Sequence, residues 1–288
     1  MTATINGQAI ARPGEARHFA VRTPDGLHLS AQSWGDPAKP TILLVHGFGQ
    51  CHLSWLPQAR GRLRQDFHLL TYDLRGHGAS AKPLDAAAYQ THRFWADDVL
   101  AVLDAVGVER ALLVGWSFGG RVALDALAVH GEARFAGLNL VGSNIFDAPG
   151  LRGTGSLALR PLMASEDLSV SIPAVRAFLR LCFATMPDAD TLAEMLAYNM
   201  VVPPAIRGML HGRAAQPESM LRGLDLPVLV TIGEADALAN VAGARHAAAV
   251  IPGAQLSIYP GVGHSPFFEA ADRFDAELHA FATSAFAR

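Results

Sequence analysis

The sequence predicts an α/β protein: a mostly parallel, twisted sheet flanked by helices and interrupted once by an all-helical insertion. Three observations carry this. Short, continuously apolar runs recur along the chain, as strands buried on both faces require. Helix-length segments with one apolar stripe separate them, which is the alternation of βαβ units. From 145 to 221 the alternation stops and no convincing strand is present. With 288 residues, half of them apolar and 17% charged, the chain can bury a large core and is not disordered in character.

Taken in order, 18–24 and 27–34 are extended runs around Asp25-Gly26, a strong hairpin turn. Thr41–Val45 is apolar after its first residue and β-branched at both ends, and His46-Gly-Phe-Gly49 terminates it. Phe67–Tyr72 is a second such strand, 111–116 a third, Leu138–Val141 a fourth, Val228–Ile232 a fifth and Gln255–Tyr259 a sixth. Helices are predicted over 94–106, 118–130, 236–250 and 270–286, where apolar residues fall mostly on one face or alanine dominates. In the insertion, the stripe at 175, 178, 179, 182 and 183 predicts a helix over 173–183. Thr191 with Glu194 resembles a capping box for the next helix, and 204–211 forms a third. The domain reading is a core of 1–144 and 222–288 with a helical cap at 145–221, placed where the strand ends converge.

Charge and composition exclude several functions. The net charge of −3, without a basic run, recruits neither nucleic acid nor an anionic membrane surface. The opening residues lack a charged and apolar leader pattern, and no stretch reaches the length of a membrane span, so the expected location is the cytoplasm. Cys51 and Cys182 are the only cysteines and read as unpaired apolar thiols. The histidines show no metal-ligand spacing, so no metal is expected. His46-Gly-Phe-Gly49 is neither a phosphate loop nor a dinucleotide fingerprint.

The chemistry concentrates at Gly115-Trp-Ser-Phe-Gly119. Small residues around Ser117 let a strand turn sharply into a helix and hold the hydroxyl at the sheet edge. A serine needs a histidine as base, and the histidine needs an orienting acid. His264, after the last strand in Gly263-His264-Ser-Pro, is the best base. Asp236, after the fifth strand in Gly233-Glu-Ala-Asp236, is the best acid, with Glu234 behind it.

These residues, with His46-Gly47 and the Asp73-Leu-Arg-Gly-His-Gly-Ala-Ser80 loop, resemble the α/β-hydrolase superfamily over about 18–286, in its esterase, haloperoxidase-like and C–C-hydrolase branch. The resemblance implies the α/β-hydrolase fold with a cap, and an oxyanion hole from the backbone N–H groups of Phe48 and Phe118. It implies a serine hydrolase that cleaves a small to medium carboxylic ester through a Ser117–His264–Asp236 acyl-enzyme mechanism, without a cofactor. The alternatives are a C–C bond hydrolase acting on a diketone-type meta-cleavage product and a lactone or amide hydrolase. An epoxide hydrolase or haloalkane dehalogenase of this fold would carry Asp where Ser117 stands.

Trp116, Phe146, Phe267 and Trp55 are the expected lining of an apolar acyl pocket for a small apolar ester or related carbonyl substrate. Arg180 or Arg207 could hold a carboxylate, although a solvated helix face is the expectation for both. Arg75 is expected to pair with Asp73, His52 to lie at the surface, and His46 to hold loop backbone. Monomer and homodimer are both compatible with the sequence.

Overall fold

The computed structural model describes residues 16–288 and the backbone of Thr4–Ile5 and Gln8–Ala9, which pair as a short antiparallel ladder. The reading of the opening residues as lacking a leader lies outside the described residues. Eight strands form the main sheet: β1 (Arg17–Arg22), β2 (His28–Trp34), β3 (Thr41–Val45), β4 (His68–Tyr72), β5 (Ala111–Trp116), β6 (Phe135–Val141), β7 (Val228–Gly233) and β8 (Gln255–Tyr259). Their order is β8-β7-β6-β5-β3-β4-β2-β1. The β1–β2 hairpin is antiparallel and β2 runs antiparallel to β4, while every other pairing is parallel. This is the α/β-hydrolase fold, and the loops following β3 to β8 meet at one sheet edge.

The continuously apolar runs are buried on both faces as expected: β3, β4, β5, β6 and β7 hold no exposed residue. β6 is longer than its apolar core of 138–141. Ala111 pairs with Phe135 and Leu112 with Gly137, so a bulge absorbs Ala136 and carries the strand back to Phe135.

Helices α1 (His92–Asp104) and α2 (Phe118–His130) pack together beside the sheet. The insertion holds α3 (Leu168–Leu181), α4 (Ala189–Met200) and α5 (Pro204–Met209), with a short turn of helix at Arg160–Met163 and another at Glu218–Arg222. After β7 and β8 come α6 (Val241–Val250) and α7 (Ala271–Phe286).

Three boundaries differ from the sequence reading, each through a side-chain cap. Asp167 accepts the N–H of Ser169 at 2.8 Å and starts α3 early, leaving Pro173 inside the helix. Asp188, not Thr191, caps α4, accepting the N–H of Thr191 at 2.9 Å. The helix predicted from 236 begins only at Val241, where Asn240 caps it by accepting the N–H of Ala242 at 2.9 Å.

Apolar clusters cover both sheet faces, and a third belongs to the insertion. Met163, Val175, Phe178, Leu179 and Met195 pack there with Leu238 from the β7–α6 loop, and Phe48 of the β3 loop lies against them. The insertion is thereby seated on the loops of the strand edge. Among the described residues, no helix is long and apolar enough to cross a membrane.

Candidate active site

Ser117 sits between β5 and α2 with φ 55° and ψ −113°. Among the described residues it is the one non-glycine residue with positive φ. Such a conformation costs on the order of 1–3 kcal/mol and persists only where the surroundings enforce it. Here the glycines do so. A Cβ on Gly119 would lie 2.3 Å from the Val45 carbonyl oxygen, and one on Gly120 would lie 2.1 Å from Ser143 Oγ. Only hydrogen at those positions lets the helix start this close to the sheet. The Ser117 N–H donates to the Val141 carbonyl at 2.8 Å, which ties the turn to β6.

His264 and Asp236 meet in space. The imidazole Nδ1 lies 2.8 Å from Asp236 Oδ2, and both side chains are buried. The other Asp236 oxygen accepts the N–H groups of Leu238 and Ala239, each at 2.8 Å. These bonds explain why α6 starts late: the carboxylate folds the chain into a tight turn before the helix begins. Trp116 Nε1 donates to the His264 carbonyl at 2.9 Å and anchors the histidine loop beside the elbow. With Nδ1 taken by Asp236, Nε2 is the ring nitrogen left for proton transfer.

The loop after β3 reaches the elbow, since a Cβ on Gly47 would lie 3.2 Å from the Ser117 Cβ. Two histidines brace it. His46 accepts the Leu74 N–H at Nε2 (3.0 Å) and donates from Nδ1 to the Gly47 carbonyl (2.8 Å). His77 accepts the Gly49 N–H at Nε2 (3.1 Å) and donates to the Arg75 carbonyl (3.0 Å). Each therefore uses one donor and one acceptor, as a neutral imidazole must. Burial pushes His46 down to about 4 and His77 down to about 3, which holds both neutral at pH 7. Phe48 and Phe118 both line the cavity beside Ser117. Phe118 opens α2, where the first N–H groups have no partner within the helix.

That cavity, of about 100 Å³, is not the apolar slot expected from sequence. Phe178, Met163, Leu210 and Leu238 form part of its wall, but Arg121, Arg152, Arg160 and Arg213 form the rest, with Asn144, Ser156 and His211. Four residues expected in the pocket lie elsewhere. Trp55 is fully buried against Phe267 and Phe274, because the turn after β3 directs it under the sheet edge. Phe146 packs on His246. Trp116 and Phe267 meet edge to face with ring centres 4.8 Å apart and border a separate void of about 10 Å³. The arginines differ as well. Arg180 is exposed, whereas Arg207 is buried, donating to the carbonyls of Met163 and Asn199 at 2.9 and 3.1 Å. Burial brings Arg207 down to about 10.

The loop after β4 also departs from expectation. Arg75 pairs with Asp98 (2.7 Å) and Asp25 (3.0 Å) rather than with Asp73. Asp73 instead accepts from His52, at both its backbone N and its Nδ1, each at 2.8 Å. Cys51 completes this group: one polar atom from each of Cys51, His52 and Asp73 lies within 4.8 Å of the others.

The Cys51 group corrects the functional expectation. Cysteine, histidine and aspartate are the residue types of a nucleophile, a base and its orienter. Their clustering counts against the reading of the chain as a carboxylesterase-like serine hydrolase, because a second grouping of these residue types stands among the described residues. Burial, reinforced by the Asp73 carboxylate, pushes the Cys51 thiol up to about 12, so the sulfur is protonated at neutral pH.

Comparison with known proteins bears on the whole arrangement. Esterase RhEst1 from Rhodococcus sp. ECU1013 superposes with a TM-score of 0.86 at 34% identity, over 93% of this chain and 99% of that one. Est816, described as an N-acyl homoserine lactone degrading enzyme, superposes with a TM-score of 0.73 at 28% identity, over 91% and 99%. Epoxide hydrolase A of Mycobacterium tuberculosis (strain ATCC 25618 / H37Rv) is 36% identical over 108 residues, and this chain spans only 33% of its length. The profile of the Alpha/beta hydrolase family matches residues 42–277. With that match over most of its length and the sheet order above, the chain belongs to the alpha/beta hydrolase family.

Proposed function

We propose that the chain hydrolyses a lactone, the cyclic ester of a small hydroxy acid, at the Ser117 edge of the sheet. The observation that carries this is the lining of the cavity beside Ser117, where polar and cationic side chains form much of the wall. In a lactone the acyl and alcohol parts belong to one ring, and opening it yields a single hydroxy acid that suits polar walls. The likeness to the lactone-degrading Est816 supports the same reading. A C–C bond hydrolase of a diketone-type substrate is the second reading, favoured by the arginines, which could hold its carboxylate.

At the reacting carbonyl the proposed residues are Ser117, His264 and Asp236. Ser117 presents its hydroxyl to the carbonyl carbon, His264 takes up and returns the proton, and Asp236 orients the imidazole. The N–H groups of Phe48 and Phe118 face the oxygen on which negative charge develops. Donors fixed in advance stabilise that charge most, and losing one costs about 3 kcal/mol of barrier. Residues 145–221 act as a cap over the core of 1–144 and 222–288. We place the protein in the cytoplasm, as a monomer or homodimer.

The test is a comparison of kcat/KM for γ-butyrolactone, δ-valerolactone and N-butanoyl homoserine lactone with p-nitrophenyl butyrate. At least one lactone should exceed the linear ester by about tenfold, a difference of roughly 1.4 kcal/mol in barrier. A uniform preference for the linear ester would refute the lactone reading.

A further inference from the structure

Three residues of the cavity wall carry four buried nitrogens without a hydrogen-bond partner among the described residues. Among the described residues, Arg160 Nε, both Nε and Nη2 of Arg213, and His211 Nε2 are shielded from solvent without a hydrogen-bond partner. Buried polar atoms in folded proteins are nearly always paired, and charged ones are the most costly to leave unmade. All three residues line the cavity that also holds Ser117.

The charges around them do not balance. Arg213 is anchored by Asp125 through Nη1, and its guanidinium lies 5.3 Å from the Phe118 ring centre and 5.4 Å from that of Trp95. That placement holds the fork rigidly while its Nε and Nη2 stay free. Asp147 is shared by Arg121 at 2.7 Å and Arg152 at 3.8 Å. Arg160 has no carboxylate partner among the described residues. The cavity lining thus contributes four guanidinium groups, and the two carboxylates paired with them, Asp125 and Asp147, leave an excess of positive charge. His211 stacks on Phe48 with ring centres 4.9 Å apart, so its ring is fixed between the arginines and the β3 loop.

We propose that Arg160 and Arg213, with His211 beside them, form an anion subsite that holds a carboxylate of the substrate while its carbonyl lies over Ser117. Arginine's planar fork matches a carboxylate in two-point contact, and a neutral His211 donates from Nε2 as a third point. Burial brings Arg213 down to about 9, which leaves it charged at neutral pH, and brings His211 down to about 4, which leaves it neutral. The subsite rests on the reading of the Ser117 edge as the reacting edge. It narrows the substrate to compact acids: a lactone or diketone carrying a free carboxylate.

Binding of unreactive probes separates this claim from turnover. Hexanoate and hexanamide have the same size and differ in charge, and each can be titrated against wild type, Arg160→Gln and Arg213→Lys by thermal shift and calorimetry. Wild type should bind hexanoate about tenfold to a hundredfold more tightly than hexanamide, the range of charge-assisted hydrogen bonds. In Arg160→Gln that ratio should fall below about threefold, with the unliganded melting temperature reporting that the variant is folded. Arg213→Lys keeps the charge toward Asp125 but loses the fork, and should weaken hexanoate selectively. Equal binding of the two probes by wild type, or an undiminished ratio in both folded variants, would overturn the subsite. Should no lactone be hydrolysed while hexanoate is still preferred, the lactone reading fails and the anion subsite stands.

Discussion

The sharp turn at Ser117 was legible because its neighbours are as restricted as the serine itself. Gly119 and Gly120 read as small residues in sequence, and in the structure each leaves room for one particular neighbour, Val45 and Ser143. Gly142 was not readable in this way, although it touches the same site. It has φ +53°, and a Cβ there would lie 3.0 Å from His264 Nδ1 and 3.2 Å from Asp236 Oδ2. Gly142→Ala is therefore expected to push the imidazole off its carboxylate. We predict at least a tenfold loss of kcat, the scale on which sub-ångström misplacement acts, with about 1–2 kcal/mol of destabilisation from the left-handed backbone. Steady-state kinetics beside a urea melt would check both, and an unaltered kcat in the folded variant would contradict the positioning role. The arginines were illegible for a different reason. Arg213 follows no periodic pattern, and its carbonyl meets Arg121 across the fold at 2.9 Å, a contact no local signal encodes. Aromatic side chains near a motif were equally uninformative, since Trp55 and Phe146 serve the core as readily as a pocket.

Among the elements, strands were easier to read than helix ends. Strands buried on both faces are mostly apolar, so β3, β4, β5 and β7 stood out. Helix starts depended on caps such as Asp167, Asp188 and Asn240, whose side chains compete with other short polar residues nearby. One link between elements has a direct consequence. Glu269, between β8 and α7, accepts the N–H groups of Ala184 and Thr185 at 2.8 Å with one oxygen and that of Gly263 at 3.0 Å with the other. A single carboxylate thus joins the end of α3 in the insertion to the loop that carries His264. Removing it in Glu269→Ala leaves three backbone donors without this acceptor, a loss of about 1–3 kcal/mol. We predict faster limited proteolysis at 184–187 and a lower kcat/KM. Proteolysis and activity both matching wild type would show that the insertion is held by its apolar contacts alone.

For the whole molecule, pH is the simplest lever on stability. His46 and His77 are held at about 4 and about 3 in the fold by burial, while the unfolded chain titrates them near 6.5. Below pH 6.5 the unfolded state binds protons that the folded state refuses, so stability falls as the pH drops from 6.5 toward 4. Asp98, raised by burial to about 6, opposes this as the pH falls from about 6 toward its unfolded value near 3.9, but it is one group displaced less than the two histidines. The histidines win, and acid from pH 7 to pH 5 should remove on the order of a few kcal/mol. A urea midpoint that is unchanged between those pH values would contradict the neutral, loop-bracing role of His46 and His77. The same scale holds the central question. Two groupings with the residue types of a nucleophile, base and acid share one sheet edge, and we propose the reaction at Ser117, His264 and Asp236 and not at Cys51, His52 and Asp73. The most direct measurement is hydrolysis of the best lactone by wild type, Ser117→Ala and Cys51→Ala. A loss of roughly 1,000-fold or more is expected in Ser117→Ala, with a change within about threefold in Cys51→Ala. Activity that survives Ser117→Ala and vanishes in a folded Cys51→Ala would move the chemistry to the cysteine.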